Sequence, residues 1–169
     1  PGHTTPSLTG AMILGPYEIR SAHARAEGAF TNTAPNEPYR GSGRPEATYL
    51  IERTLDVLAG RLGIDPAEIR RRNLIPAHKF PYRTATGLTY DSGDYEKALD
   101  LALEAGNYAE LRAEQVRRRA EGGKLLGVGL ACYVEICGFG PWEAGGVTVE
   151  PDGSITVRSG TSPLGQGHE

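Results

Sequence analysis

YRGSGRPEATYLIERTLDVLAGRLGIDPAEIRRRNLIP, residues 39–76, sets a loop almost free of side-chain bulk directly against two helical patterns. Between Arg40 and Arg44 stand only Gly41, Ser42 and Gly43. Pro45 suits the first turn of a helix, where its fixed φ is pre-organised and its missing N–H is not needed. Ala47, Leu50, Ile51, Leu55, Leu58 and Leu62 recur at helical spacing and predict one apolar face, with Gly63 as the stop. Asp65, Pro66 and Glu68 then read as an N-cap, a first-turn proline and a capping-box acid, so a short second helix is expected before Pro76. A glycine turn opening onto a helix aims backbone N–H groups and the positive end of the helix dipole at whatever lies before it. Anionic oxygens are natural guests, although an ordinary turn uses the same residues.

Upstream, AMILGPYEI (11–19) and AHARAEGAF (22–30) read as extended strands and loops after an irregular PGHTTPS start. Downstream, residues 77–93 read as a loop with a short strand. DSGDYEKALDLALEAG (91–106) predicts a helix that buries Tyr95, Ala98, Leu99, Ala102 and Leu103 and is capped by Gly106. Asn107 with Glu110 is expected to cap a polar surface helix running to Gly122. The arginine runs 70–72 and 117–119 fall near helix ends, where cations favour the dipole, and read as solvated.

Beyond Lys124 the period becomes two. LLGVGLACYVEI (125–136), AGGVTVE (144–150) and SITVRSG (154–160) predict strands, the last two joined by a tight Pro151-Asp152-Gly153 turn with Val147, Val149, Ile155 and Val157 inward. The fold class expected is α+β. A first segment is placed at 1–123 and a second at 124–169, and the SPLGQGHE ending (162–169) suggests a piece of a longer polypeptide.

A hydrophobic content of 38%, a charged content of 23% and a net charge of −3 exclude a chain held to nucleic acid by bulk charge, and nothing approaches a membrane span. Cys132 and Cys137 are five apart in a predicted strand, on opposite faces, which disfavours a mutual disulfide or a shared metal. With no disulfide framework, a cytoplasmic location is the default. Gly41-x-Gly43 lacks the third glycine of a dinucleotide loop, and EGGKLLG (121–127) lacks the hydroxyl residue of a Walker loop. Histidines 3, 23, 78 and 168 show no metal spacing, and Glu135 and Glu143 read as surface acids before they read as an acid–base pair.

Three stretches together resemble one family: residues 30–76, GLTYDSGDYEKALDLAL (87–103) and GVTVEPDGSITVRSGTSPLGQGHE (146–169). In order and spacing they are similar to the molybdopterin-binding region of the large subunit of molybdenum hydroxylases, the xanthine dehydrogenase, aldehyde oxidase and aerobic carbon monoxide dehydrogenase group. The resemblance implies that Tyr39, Arg40, Gly41, Ser42, Gly43 and Arg44 lie against the molybdenum centre. It implies that Gly165, Gln166 and Gly167 bind the pterin, with the glutamine as hydrogen-bonding partner. Ser42, Cys132 and Tyr133 would line the substrate pocket.

No side chain of the chain would ligate the metal, and the catalytic glutamate is expected outside these residues. Carbon monoxide dehydrogenases proper carry a copper-ligating cysteine where Gly41 stands, and purine oxidisers a phenylalanine where Ser42 stands; neither is present. The implied activity is oxidation of an aldehyde or N-heteroaromatic with water as oxygen source. A carbon monoxide oxidiser and a non-catalytic structural module are the alternatives. The implied cofactor is molybdopterin with molybdenum, in its cytosine dinucleotide form. Iron–sulfur clusters and FAD would sit on partner subunits beside the remainder of the large subunit, and the 169 residues alone are expected to be inactive.

Overall fold

The computed structural model describes residues 3–34, 39–136, 142–162 and 167. The fold is α+β: α1 (Thr4–Met12), α2 (Arg44–Leu62), α3 (Pro66–Arg71), a 3-10 turn (Ala77–Lys79), β1 (Tyr82–Arg83), β2 (Thr89–Tyr90), α4 (Tyr95–Ala105), α5 (Tyr108–Glu121), β3 (Gly145–Val149) and β4 (Ile155–Ser159). β1 pairs with β2 and β3 with β4, both antiparallel. Two compact units result, residues 1–134 and 135–169. Among the described residues no helix is long and apolar enough to cross a membrane.

In the first unit Tyr17, Leu55, Ala59, Ile69, Leu74 and Leu99 form the core. The buried face of α2 is Ala47, Glu52, Leu55 and Ala59, whereas Leu50, Leu58 and Leu62 are 46%, 41% and 58% exposed. The apolar stripe expected from spacing is therefore rotated. α1 and α3 pack on the side marked by the small Ala47 and Ala59, which admit close approach, and a carboxylate shares that side.

Asp65 caps α3 as expected, accepting from the amides of Ala67 at 2.8 Å and Glu68 at 3.4 Å. It also accepts from Tyr108 Oη at 3.1 Å and pairs with Arg112 at 3.3 Å, tying α3 to α5. Asn107 differs from expectation. It sits at φ 48° with no side-chain cap bond, so its backbone, through the bond from the Leu111 amide, opens α5. In α4 only Leu99 is buried, while Ala98 and Ala102 remain exposed.

The N-terminal stretch expected to be irregular or extended forms α1, and a single antiparallel bridge, Tyr17 to Leu74, follows it. Residues 20–34 are exposed and without regular structure. Tyr90 of β2 donates to Gly15 O at 3.0 Å, which fastens the small hairpin to the turn after α1. Burial, then the neighbouring Tyr95 and Tyr82, push its phenol up from 10.0 to about 12. A raised phenol contributes stability that is fully present below pH 10 and lost as pH rises toward 12. Urea midpoints measured at pH 9 and pH 11 should fall more steeply for the native chain than for Tyr90→Phe. The variant loses about 1 kcal/mol of hydrogen bonding at neutral pH instead.

In the second unit β3 and β4 form the expected hairpin around the turn at 151–153, with Val147 opposite Val157 and Val149 opposite Ile155. Gly153 takes φ 86°, and its amide donates to Glu150 O at 2.9 Å. The four apolar side chains share one face of the hairpin, but that face is 64–70% exposed rather than inward. A two-stranded ribbon has no second layer of its own to cover it.

Candidate functional site

The loop at 39–44 is a double turn built by its own backbone. Ser42 N donates to Tyr39 O at 2.7 Å and Arg44 N to Gly41 O at 3.0 Å, and Gly41 and Gly43 take φ 92° and 86°. Arg44 Nη1 returns to Gly41 O at 3.2 Å. Tyr39 and Arg40 are exposed and Gly43 is buried. A Cβ at Gly43 would lie 2.5 Å from Thr5 O and 2.7 Å from both Leu8 Cβ and Thr9 N, so the loop rests on α1 at van der Waals limits. The Ser42 hydroxyl is engaged there too, 3.0 Å from Thr5 Oγ1.

The amides of Gly41, Gly43 and Glu46 have no acceptor among the described residues, and they cluster at the head of a 19-residue helix. This donor set fits an anionic oxygen-bearing group. Gly165 and Gln166 lie outside the described residues; Gly167 takes φ 80° with nothing within 4 Å of a Cβ position.

Cys132 and Tyr133 meet in a groove of ≈ 200 Å³ with Leu74, Tyr95, Leu99 and Leu130 among its lining, an apolar channel along α4. Ser42 is not one of its lining residues; the structure groups Cys132 with Tyr133 and groups Ser42 with α1. Burial, and then the charge of Glu52, push the Cys132 thiol above its ordinary range, which keeps it a protonated and unreactive lining group. Cys137 lies outside the described residues.

Sequence reading missed the polar centre of this unit. Arg70, expected to be solvated, is 0% exposed and Glu52 is 5% exposed. Arg70 donates from Nε to Glu52 Oε2 at 2.8 Å, from Nη1 to Pro66 O at 2.9 Å, and from Nη2 to Asp56 Oδ1 at 2.9 Å and Glu52 O at 3.3 Å. Tyr17 donates its hydroxyl to Glu52 Oε1, and the Cys132 amide donates to Glu52 Oε2 at 2.9 Å. Burial alone would lower the Arg70 guanidinium. The hydrogen bond and charge of Glu52, with Asp56, carry it above its ordinary value instead. Burial and then Glu52 hold the Tyr17 phenol protonated. The signal was available in α2, where Glu52 falls on the same helical face as Ala47, Leu55 and Ala59, and a charge inside an apolar stripe demands a partner. Other arginines of the two runs keep to the surface: Arg71 pairs with Glu96 and Asp100, and Arg117 with Glu114 and Glu121.

Residues 1–74 and residues 101–169 match two family models, each described as a molybdopterin cofactor-binding domain. The carbon monoxide dehydrogenase large chain of Hydrogenophaga pseudoflava is 44% identical over 173 residues, covering 94% of this chain and 22% of that one. The 6-hydroxypseudooxynicotine dehydrogenase complex subunit gamma of Paenarthrobacter nicotinovorans is 38% identical, covering 96% of this chain and 21% of that one. Among solved structures, quinoline 2-oxidoreductase from Pseudomonas putida 86 superposes with a TM-score of 0.83 at 30% identity, over 99% of this chain and 23% of its own. The chain thus spans about a fifth of the length of the relatives it matches. With both cofactor-binding models matched in order and the helix-led glycine loop within the first of them, the chain belongs to the molybdenum hydroxylase large-subunit family, in its molybdopterin-binding region.

Proposed function

We propose that the chain supplies cofactor-binding loops to a molybdenum-dependent hydroxylase that oxidises an aldehyde or an N-heteroaromatic compound with water as oxygen source. The observation that carries this reading is the cluster of amides at Gly41, Gly43 and Glu46, at the start of α2, that have no acceptor among the described residues. Tyr39 to Arg44 would face the molybdenum centre, and Gly165, Gln166 and Gly167 the pterin, in two segments dividing at 123/124. When bound, the cofactor supplies the redox chemistry. The residues here orient it and offer backbone dipoles to developing negative charge. Ser42, Cys132 and Tyr133 would border the substrate. Iron–sulfur and flavin subunits would carry electrons away, in the cytoplasm, and the dinucleotide form would be cytosine.

Carbon monoxide oxidation is the second reading, favoured by the 44% identity with a carbon monoxide dehydrogenase large chain. Gly41 weighs against it. A side chain there would stand at φ 92° with its Cβ 3.0 Å from the Pro45 ring, so the copper-ligating cysteine that the resemblance leads one to look for would be strained in this loop conformation. Metal analysis of the intact complex should find molybdenum without matching copper. An assay against aldehydes, nicotinate, purines and carbon monoxide should find activity in the first two classes. Copper equal to molybdenum, with carbon monoxide turnover, would replace the first reading by the second.

A further inference from the structure

Leu126 to Val134 has the burial pattern of a strand, with even-numbered residues half-buried and odd-numbered ones exposed, yet it pairs with no strand among the described residues. Two buried side chains reach its backbone instead. Gln115 Nε2 donates to Leu126 O at 3.0 Å, and six residues on Glu52 Oε2 accepts from Cys132 N at 2.9 Å. Leu130 and Cys132 thereby pack on the core of the first unit, and Leu130 to Tyr133 become one wall of the groove along α4.

Glu52 is more than the partner of a buried cation. Its Oε2 is shared between Arg70 and the Cys132 amide, and its Oε1 takes the Tyr17 hydroxyl. Every remaining Arg70 bond goes to Pro66 O, Glu52 O or Asp56, so the carboxylate is clamped in one orientation with a lone pair aimed at the segment. We propose that Glu52 is a positioning residue that, through the Cys132 amide, sets the Leu130–Tyr133 wall and with it the shape of the groove. Its effect on substrate rests on the reading that Cys132 and Tyr133 border the substrate.

Amide hydrogen exchange in the intact protein tests the placement directly. Cys132 should exchange at least tenfold more slowly than Ala131 and Tyr133, whose amides have no acceptor among the described residues. Replacing both charges, Glu52→Met with Arg70→Met, removes the acceptor without stranding a buried ion, so the fold survives. In that variant Cys132 should lose its tenfold protection while Leu126 and its Gln115 contact keep theirs. Glu52→Gln, which can keep one oxygen toward Arg70 and Cys132 and turn its amide to the Tyr17 hydroxyl, should restore the protection. Equal exchange across 131–133 in the native protein, or unchanged exchange at Cys132 in the folded double variant, overturns the proposal. A second readout separates it from the pocket reading. If Cys132 loses protection and KM rises several-fold more than kcat falls, both stand. If protection is lost with KM and substrate preference unmoved, the positioning role stands and the pocket reading falls.

Discussion

Gly43→Ala is expected to destabilise the first unit by about 3–5 kcal/mol, which combines strain at positive φ with overpacking against a rigid backbone. The new methyl would lie 2.5 Å from Thr5 O and 2.7 Å from Thr9 N, both main-chain atoms of α1 that no rotamer change can move aside. Either α1 lifts from the head of α2 or the double turn at 41–44 opens. Both outcomes disturb the Ser42–Thr5 contact and the amides proposed to face the cofactor. Gly63→Ala provides the control, because that glycine also takes positive φ, 63°, but has nothing within 4 Å of its Cβ position. It should cost only about 1 kcal/mol of backbone strain. Thermal unfolding of the intact protein, with molybdenum content measured alongside, checks the pair. The Gly43 variant should lose both stability and metal, the Gly63 variant little of either. Equal effects at the two glycines would mean that α1 does not bear on the loop.

Glycine at 43 illustrates what was legible in the sequence. The loop, its helix, the Asp65 cap and the hairpin are local: each is set by residues within a few positions of one another, and each appears where spacing and turn chemistry predict it. That Gly43 is required by packing against residues 5 to 9 is not local, and neither is the helix that those residues form. His3 makes no side-chain cap bond and α1 has no acid in its first turn. Packing against α2 therefore stabilises it more than any start signal does. The segment 125–136 misled for the opposite reason. Its two-residue period is genuine and shows in the alternating burial, but a strand needs a neighbour, and side chains of Gln115 and Glu52 take the neighbour's place at two points.

The site was legible to a similar depth. The glycine turn could be anticipated from composition and from the helix that follows, and so could its amides without an acceptor among the described residues. The family resemblance proposes a cofactor for the turn, where the residues by themselves point only to an anion. The buried Glu52–Arg70 pair was hidden because both residues belong to types that almost never lose all solvent unless paired, and Arg70 stands in a run of three arginines whose other members are surface cations.

Arg70→Met should destabilise the protein by about 3–5 kcal/mol, because removing one partner of a buried pair leaves the other charge desolvated and uncompensated. Glu52 would keep the Tyr17 hydroxyl and the Cys132 amide but lose the one cation that pairs with it among the described residues, at a site where it is 5% exposed. Arg70→Lys should recover less than half of the loss. The guanidinium serves four acceptors on three sides through Nε, Nη1 and Nη2, and a single ammonium cannot reach them all. Glu52→Met combined with Arg70→Met should return stability to within about 2–3 kcal/mol of the native protein, since apolar side chains of similar length fill the volume and leave no buried ion, and the remaining cost is the acceptor lost to the Tyr17 hydroxyl and the Cys132 amide. The native protein, Arg70→Met, Glu52→Met and the double variant form a double-mutant cycle, read by urea denaturation; with each single variant costing about 3–5 kcal/mol, its coupling energy should be at least about 3 kcal/mol. Additive losses would show that Arg70 and Glu52 stabilise the core separately, Arg70 through Pro66 O and Asp56 and Glu52 through Tyr17. In that case the carboxylate would hold its orientation without the arginine.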